Sequence, residues 1–452
     1  MTTAGGHQRI VDAVVLGAGI SGLVSASVLL QQGSRDIIVL DEYDHVGGNH
    51  IDRSYDGCTY DIGSLIFQDD SPLLRHFPEI LPRYVPIEPS WARLNPQGIV
   101  THYPFSINDD VLAAGPRELL RMAASALAGR LFIRRQRNAK DFSEHLLGAR
   151  FVERSGLGYY MERFCGLPPE QIDLEFARSR MAWLADQAKV GELVRRVVRS
   201  RTGDPEAKGS NRQLARPREG FSFLYEPAVD RLAARGVDLR LGVTLRSVRK
   251  VDDHFVVDTG DGPLRARRIV STIPLDRAVE LCDVVVPGAP LPTVTLVSLF
   301  FSFQGHRGFG PSILYNFSRE GAWKRLTVHS DFYGPSVGRE FFTTEVIGHQ
   351  VGDSVDTAER DFRDHCGANG LFVGDLRLEG SHVLTNAYPV YTQGSGQRAR
   401  DAVQALRSFG LESLGRQGAF QYQPTARAST IEAEQALQRR GARPINDHRE
   451  AP

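Results

Sequence analysis

Four apolar residues, Ala13 to Leu16, run straight into Gly17-Ala18-Gly19-Ile20-Ser21-Gly22, and this junction narrows the choice of fold more than any other stretch of the 452-residue chain. A short continuous apolar run bounded by glycine is the pattern of a strand buried on both faces, and Ile37 to Leu40 repeats it. Between the two, Leu23, Ala26, Leu29 and Leu30 recur at helical spacing, and Gly33 stands where a helix ends in a left-handed residue. Strand, helix and strand with glycines at the first turn predict a βαβ unit that cradles a dinucleotide. Gly17 serves the tight turn, Gly19 the approach of backbone to pyrophosphate, and Gly22 the contact of helix with strand. Ile20 and Ser21 open the helix, where free N–H groups and the helix dipole favour phosphate. Asp41 closes the second strand; its carboxylate can accept from both ribose hydroxyls and repels a 2′-phosphate, which disfavours NADP.

The bare glycine spacing decides nothing. With 44 glycines in the chain it arises by chance about 0.4 times. The coincidence of strand before, helix after and acid at the end of the next strand carries the reading.

Apolar residues make up 41% and charged residues 24%, ordinary for a globular chain long enough for two or more cores. Basic and acidic residues balance at 54 each, so no global field draws the chain to nucleic acid or an acidic membrane, although local basic patches remain open. Only five of the basic residues are lysine, which reads first as coding bias. Cys58, Cys165, Cys282 and Cys366 lie far apart without metal-ligand spacing, so no metal site is expected and a reduced, cytoplasmic location is the simple reading. Met1 to Arg9 is short and polar, unlike a signal peptide. The longest apolar run, Leu291 to Phe303, is too short to span a bilayer and reads as a buried strand.

Tyr55 to Gly63 predicts a turn and a short strand that return the chain to the nucleotide, and Tyr84 to Phe105 is β-like and punctuated by turns. From Asn108 to Arg201 helix formers dominate, which predicts a helical insertion broken at Gly166-Leu167-Pro168-Pro169. Within it Arg130–Arg137 and Arg195–Arg201 are basic and partly amphipathic. They read first as solvated helix faces, with contact to lipid or a lipid-linked substrate as the other reading. Thr202 to Arg218 is polar and expected as a mobile linker. A helix at Phe221–Arg235 and strands at Val237–Val243, Leu245–Val251, Phe255–Thr259 and Arg265–Val270 should rejoin the first sheet. Strands at Thr293–Phe303, Ser312–Phe317, Trp323–Ser330 and Phe341–Gly348 should form a second, mostly antiparallel sheet walling a substrate cavity. A helix at Asp356–His365, a strand at Leu384–Tyr391, a helix at Gly396–Ser408, a strand at Leu411–Leu414 and a final helix at Arg427–Arg440 complete the chain.

Several of these segments resemble a known superfamily. Val39-Leu40-Asp41 followed six residues on by Gly47-Gly48-Asn49 is similar to the extended nucleotide motif of FAD enzymes related to amine oxidases, protoporphyrinogen oxidases and UDP-galactopyranose mutases, with Gly48-Asn49 nearer the mutase form. Tyr103-Pro104-Phe105, Gly166-Leu167-Pro168-Pro169 and Ala387-Tyr388-Pro389-Val390-Tyr391 resemble segments shared by the mutases and their oxidase-like relatives in polysaccharide clusters. Gly415-Arg416-Gln417-Gly418 resembles the C-terminal FAD motif, Thr244 to Val248 the strand whose backbone meets adenine, and Ser271-Thr272-Ile273-Pro274 the turn under the cofactor. The resemblance implies an α/β fold: a Rossmann-like FAD-binding domain of the GR2 type (1–75, 215–285, 384–452) beside a substrate domain of helical insertion (76–214) and second sheet (286–383). It implies FAD contacts at Gly63, Ser64, Val248, Thr272, Gly415 and Arg416 in addition to the glycine turn and Asp41. Two departures stand out. Gly63 to Phe67 lacks the histidine that mutases set against the flavin, and Pro424-Thr425-Ala426 replaces an Asn-x-Asp common after the C-terminal motif.

No nucleophile–base pair stands out, as expected where a cofactor carries the hard step. Arg325 sits where relatives place an arginine able to clamp a diphosphate with two parallel hydrogen bonds; a surface ion pair is the alternative. Tyr388 resembles a tyrosine that contacts substrate phosphate, Tyr103 is a further contact candidate more at home in the core, and His50 and His102 read as structural. The expectation is an FAD-dependent oxidoreductase acting on a sugar nucleotide, lipid-linked sugar or related biosynthetic intermediate. The alternatives are a mutase interconverting pyranose and furanose rings without net redox change, and a flavin-binding scaffold without catalysis.

Overall fold

The structure, a computed structural model, describes residues 9–63, 66–181 and 212–441. Ser64, the basic stretch Arg195–Arg201 and residues 202–211 of the expected linker lie outside them.

The βαβ unit forms as the sequence dictates. Strand β1 (Ile10–Leu16) leads into helix α1 (Ile20–Gln31), which returns to strand β2 (Ile37–Leu40), parallel to β1. Every α1 residue from Ile20 to Leu30 is buried, because the helix is covered on one side by the sheet and on others by the helices Phe221–Ala233 and Ala426–Gly441. That is why small and apolar residues surround it on all sides instead of forming one stripe.

The first sheet runs Val237–Arg240, β2, β1, Gly262–Ser271, His254–Thr259 and Leu245–Val251, with Leu411–Ser413 pairing the far half of Gly262–Ser271. The pairs on either side of β1 are parallel, and the edge meander is antiparallel. Apolar side chains fill both faces, one against α1 and the other against the helices Leu275–Leu281 and Ser395–Phe409. The helix Leu275–Leu281 was not expected from sequence; at seven residues, its periodicity is too short to register.

The second sheet orders Phe372–Pro389, Thr293–Arg307, Glu340–Ile347, Trp323–Val328, Ile313–Asn316, Trp91–Leu94 and Val100–His102. All pairs are antiparallel except Ile313–Asn316 with Trp91–Leu94. The strand expected at 384–391 begins at Phe372, so residues 384–389 belong to this sheet. Helix Val355–Ala368 covers one face, and the hairpin Asp52–Tyr55 with Cys58–Asp61 packs on the other. Helices Pro116–Phe132, Ala139–Leu147, Ala149–Ser155, Leu157–Cys165 and Leu174–Arg180 form the expected insertion.

The linker reading fails at its C-terminal end. Gln213–Ala215 is a strand between Phe67–Gln68 and Val85–Pro86, and Arg216 is fully buried. Its guanidinium pairs with Asp61, donates to the carbonyls of Thr59 and Pro217 at 2.7 Å each, and lies 5.1 Å from the Tyr333 ring. Composition reads such an arginine as solvent-facing, whereas Asp61 and Thr59 sit more than 150 residues earlier in the chain.

Candidate active site

Four parallel strands of the first sheet end at one edge, and each hands the chain to a residue of the site. Gly17 follows β1, Asp41 follows β2, Thr272 follows Gly262–Ser271, and Gly415 comes two residues after Leu411–Ser413. The chain leaves β1 toward β2 on one side while Gly262–Ser271 lies on the other, which opens a crevice at the carboxyl ends of the strands. The edge is held by backbone bonds: Gly17 donates to the Leu40 carbonyl and Thr272 to that of Leu16, both at 2.7 Å.

The glycines are required by contact. A Cβ on Gly22 would stand 1.8 Å from the Gly17 carbonyl oxygen, and Gly17 itself has φ +104°. Gly19 and Gly48 face each other so closely that a Cβ on Gly48 would lie 3.2 Å from the Gly19 Cα. The Gly47 N–H donates to the Ala18 carbonyl at 2.9 Å, which seats the second glycine pair on the first turn. Gly415 abuts Ser21, whose Oγ would be 2.7 Å from an added Cβ.

The Asp41 carboxylate accepts from the backbone N–H of Ala18 at 2.5 Å and of Tyr43 at 2.8 Å. Burial pushes its carboxyl above the ordinary range, and these two bonds work against that rise. One bond to each oxygen leaves lone pairs free for a ribose hydroxyl. Asn49 donates to the Ala387 carbonyl at 2.6 Å, tying the glycine pair to the second sheet.

These residues line a cavity of about 900 Å³. One wall is Gly17, Gly19, Ile20, Ser21, Asp41, Gly47, Gly48 and Asn49; Thr272, Arg416 and the start of helix Ala426–Gly441 add to it, and Tyr315 and Arg325 of the second sheet stand on another side. Gly22 and Gly415 support the lining from behind. Gly63 borders it, since an added Cβ there would be 3.8 Å from the Arg325 guanidinium. Val248 is not in the wall; it lies in the core of the edge meander. The departure Pro424-Thr425-Ala426 does line the cavity, with Thr425 Oγ1 accepting from the Ala428 N–H at 3.2 Å to cap the last helix.

Arg325 and Tyr388 do not meet across open space. Arg325 stands in the wall with its Nε donating to Glu345 at 2.8 Å, while Tyr388 is buried behind it. Glu345 also pairs with Lys324 at 2.9 Å; Lys324 donates to the Tyr388 hydroxyl at 3.0 Å, and that hydroxyl donates to the Phe164 carbonyl at 3.0 Å. Burial works to raise the Glu345 carboxyl, but the two cations outweigh it and hold it below its ordinary range. A bulge at Trp323–Arg325 lets two consecutive residues reach one carboxylate. Tyr103 stacks on Tyr315 at 4.4 Å, one layer behind the cavity.

Sequence reasoning missed Arg180 and Lys324, neighbours of the wall residues Tyr315 and Arg325. Arg180 lies 4.8 Å from the Phe164 ring and donates to the Tyr160 hydroxyl at 3.0 Å, without an ion pair to a carboxylate among the described residues. Arg416 is likewise without one; its buried Nε has no hydrogen-bond partner, and it lies 5.6 Å from the Tyr388 ring. His50 is held neutral, burial lowering it to about 4, and its Nδ1 meets the Tyr225 hydroxyl at 2.5 Å. The one signal for Lys324 was its rarity in an arginine-rich chain.

The cavity thus offers a glycine cradle that a Cβ would fill, a carboxylate with spare lone pairs and an arginine without an ion-paired carboxylate among the described residues, which together fit a flavin dinucleotide. Comparison with known proteins points the same way. The pattern of an NAD(P)-binding Rossmann-like domain matches residues 15–80, and that of flavin containing amine oxidoreductases matches residues 103–339. The chain is 25% identical to protoporphyrinogen oxidase 1, chloroplastic, of Arabidopsis thaliana, over 91% of its own length and 84% of that protein's. Its fold matches that of reduced UDP-galactopyranose mutase with a TM-score of 0.74 at 16% identity, covering 94% of each chain. It matches a putrescine oxidase variant at 0.61 and 13% identity, covering 96% and 99% of the two chains.

Proposed function

Since the chain belongs to the flavin-containing amine oxidoreductase family and is an FAD-dependent oxidoreductase, we propose that its substrate is a phosphate-bearing small molecule, a sugar nucleotide or a lipid-linked sugar. FAD, when bound, supplies the acceptor for a hydride; the chain supplies position, charge and exclusion of water. Asp41 and the N-terminus of α1 would hold the adenosine and pyrophosphate, with Arg416 adding charge. The parallel sheet with its helices serves as the cofactor domain, and the second sheet with the helical insertion as the substrate domain.

The observation that carries the substrate reading is an excess of positive charge, buried at Lys324 and half-buried at three arginines. Lys324, Arg325, Arg180 and Arg416 gather around the tyrosine-rich side of the cavity, and among the described residues the one carboxylate ion-paired with any of them is Glu345. Cations partly withdrawn from water favour anions, and an acidic substrate group at Arg325 answers that need. The lack of a histidine between Gly63 and Phe67 favours redox chemistry over the mutase alternative.

UDP serves as the probe. Arg325→Lys keeps the charge but loses the planar fork, so UDP affinity, followed by the change in flavin fluorescence, should fall about tenfold, and Arg325→Ala should lower it further. FAD content should stay unchanged. Unaltered affinity in Arg325→Ala would remove Arg325 from the site; loss of FAD would make its role structural.

A further inference from the structure

Helix Pro116–Phe132 turns its apolar residues the wrong way for a surface helix. Leu120, Leu127, Leu131 and Phe132 are 73%, 60%, 53% and 82% exposed, and Leu112 just before the helix is exposed as well. Of the sixteen large apolar side chains exposed among the described residues, these five fall within 21 positions, so they form a patch instead of scattered singles.

Pro116, Leu120, Ala123, Ala124, Leu127 and Leu131 are all exposed, and on an α-helix they fall within a sector of about 100°. Arg117 and Arg121 run along one border of that stripe and Arg130 along the other; Arg134 and Arg135 follow its end, all exposed. The inner face is occupied already. Met122 and Gly129 are buried, and Gly129 approaches the helix Ala139–Leu147 so closely that a Cβ would lie 2.3 Å from the Glu144 carbonyl oxygen. The helix's single acid, Glu118, turns to Arg150 and Arg121, mostly out of solvent. The outward stripe therefore contributes nothing to the packing of its own domain.

We propose that this helix is a docking face for an anionic lipid surface, lying in the interface with its leucines among the acyl chains and its arginines at the headgroups. Apolar stripe, flanking arginines and no exposed acid are what an in-plane helix needs. The formal balance of the whole chain is zero, so the attraction comes from this local patch, where each arginine is drawn to the negative surface potential of anionic lipid. A second copy is the poorer occupant. In a two-fold pair the same patch meets itself, which brings arginine against arginine.

The test uses the full FAD-loaded protein and sedimentation with vesicles of phosphatidylcholine alone or mixed with phosphatidylglycerol. Binding to the anionic vesicles, weakened by salt and absent from the neutral ones, is expected. Replacing Arg117, Arg121 and Arg134 by Gln should lower it at least about tenfold, as should replacing Leu120, Leu127 and Leu131 by Gln. These positions are exposed, so FAD content and melting temperature should hold and show that the variants fold. Absence of sedimentation with either vesicle, or binding that both variants retain, overturns the proposal. So does a concentration-dependent dimer lost in the leucine variant without lipid binding, which would assign the face to a second copy.

Discussion

Gly22→Ala will yield a protein without flavin. The added methyl would stand 1.8 Å from the Gly17 carbonyl oxygen and 2.8 Å from its carbon, both backbone atoms that no side-chain rotation can move. Either α1 withdraws from β1 or the turn opens, and both displace the N–H groups that face the pyrophosphate. FAD affinity should fall at least about a hundredfold, or about 2.7 kcal/mol, enough to empty the site during purification. Gly33→Ala is the control. It sits at the other end of α1 with φ +101° and nothing within 4 Å of an added Cβ. That substitution should lower stability by about 1 kcal/mol through backbone strain and leave FAD bound. Stoichiometric FAD in Gly22→Ala, read from the visible spectrum, would show that the turn tolerates what the geometry forbids.

Glu345→Gln should be the most destabilising single change in the second sheet. The Glu345 side chain is 3% exposed and is shared by Lys324, itself 7% exposed, and Arg325. Removing its charge leaves two cations next to each other with no counter-charge, and breaking a buried pair in this way costs about 3–5 kcal/mol. The damage should spread to Tyr388, because Lys324 donates to its hydroxyl and a lysine released from Glu345 has no reason to stay there. Adding Lys324→Met should restore part of the loss, since Arg325 alone reaches the cavity and can find water or ligand. Urea unfolding of the three proteins tests this. A Glu345→Gln variant within about 1 kcal/mol of the parent would mean that the network is solvated and contributes little.

The two sides of the cavity differ in how far the sequence reveals them, and the reason is physical. Gly17, Gly19, Gly22 and Asp41 act through local backbone geometry, so a strand, a turn and a helix in a row disclose them. Gly47-Gly48 becomes legible only by resemblance, since its reason is contact with Gly19, 29 residues earlier. The opposite side is built by charge pairing across distance. Lys324 and Arg325 find Glu345 about 20 residues on, Lys324 reaches Tyr388 64 residues away, and Arg216 finds Asp61 across 155. Composition treats each of these as a surface residue, because nothing in the neighbouring sequence says that a partner will arrive. For Val248 the resemblance concerned the backbone of a strand; the strand is there, and this residue's side chain faces the core of the meander.

The helical insertion shows the same limit. Its helices were legible from composition, yet the outward direction of Leu120, Leu127 and Leu131 follows from where Gly129 meets the next helix. Periodicity locates an apolar stripe without telling whether it faces a neighbour or solvent.

The most direct measurement of the central claim is anaerobic mixing of the FAD-loaded protein with sugar nucleotides and lipid-linked sugars while the flavin spectrum is followed. The account predicts that one of these substrates bleaches the oxidised flavin, with an oxidised product formed in equal amount. A flavin that stays oxidised with every candidate, while the pre-reduced protein interconverts a pyranose and a furanose sugar nucleotide, would contradict it.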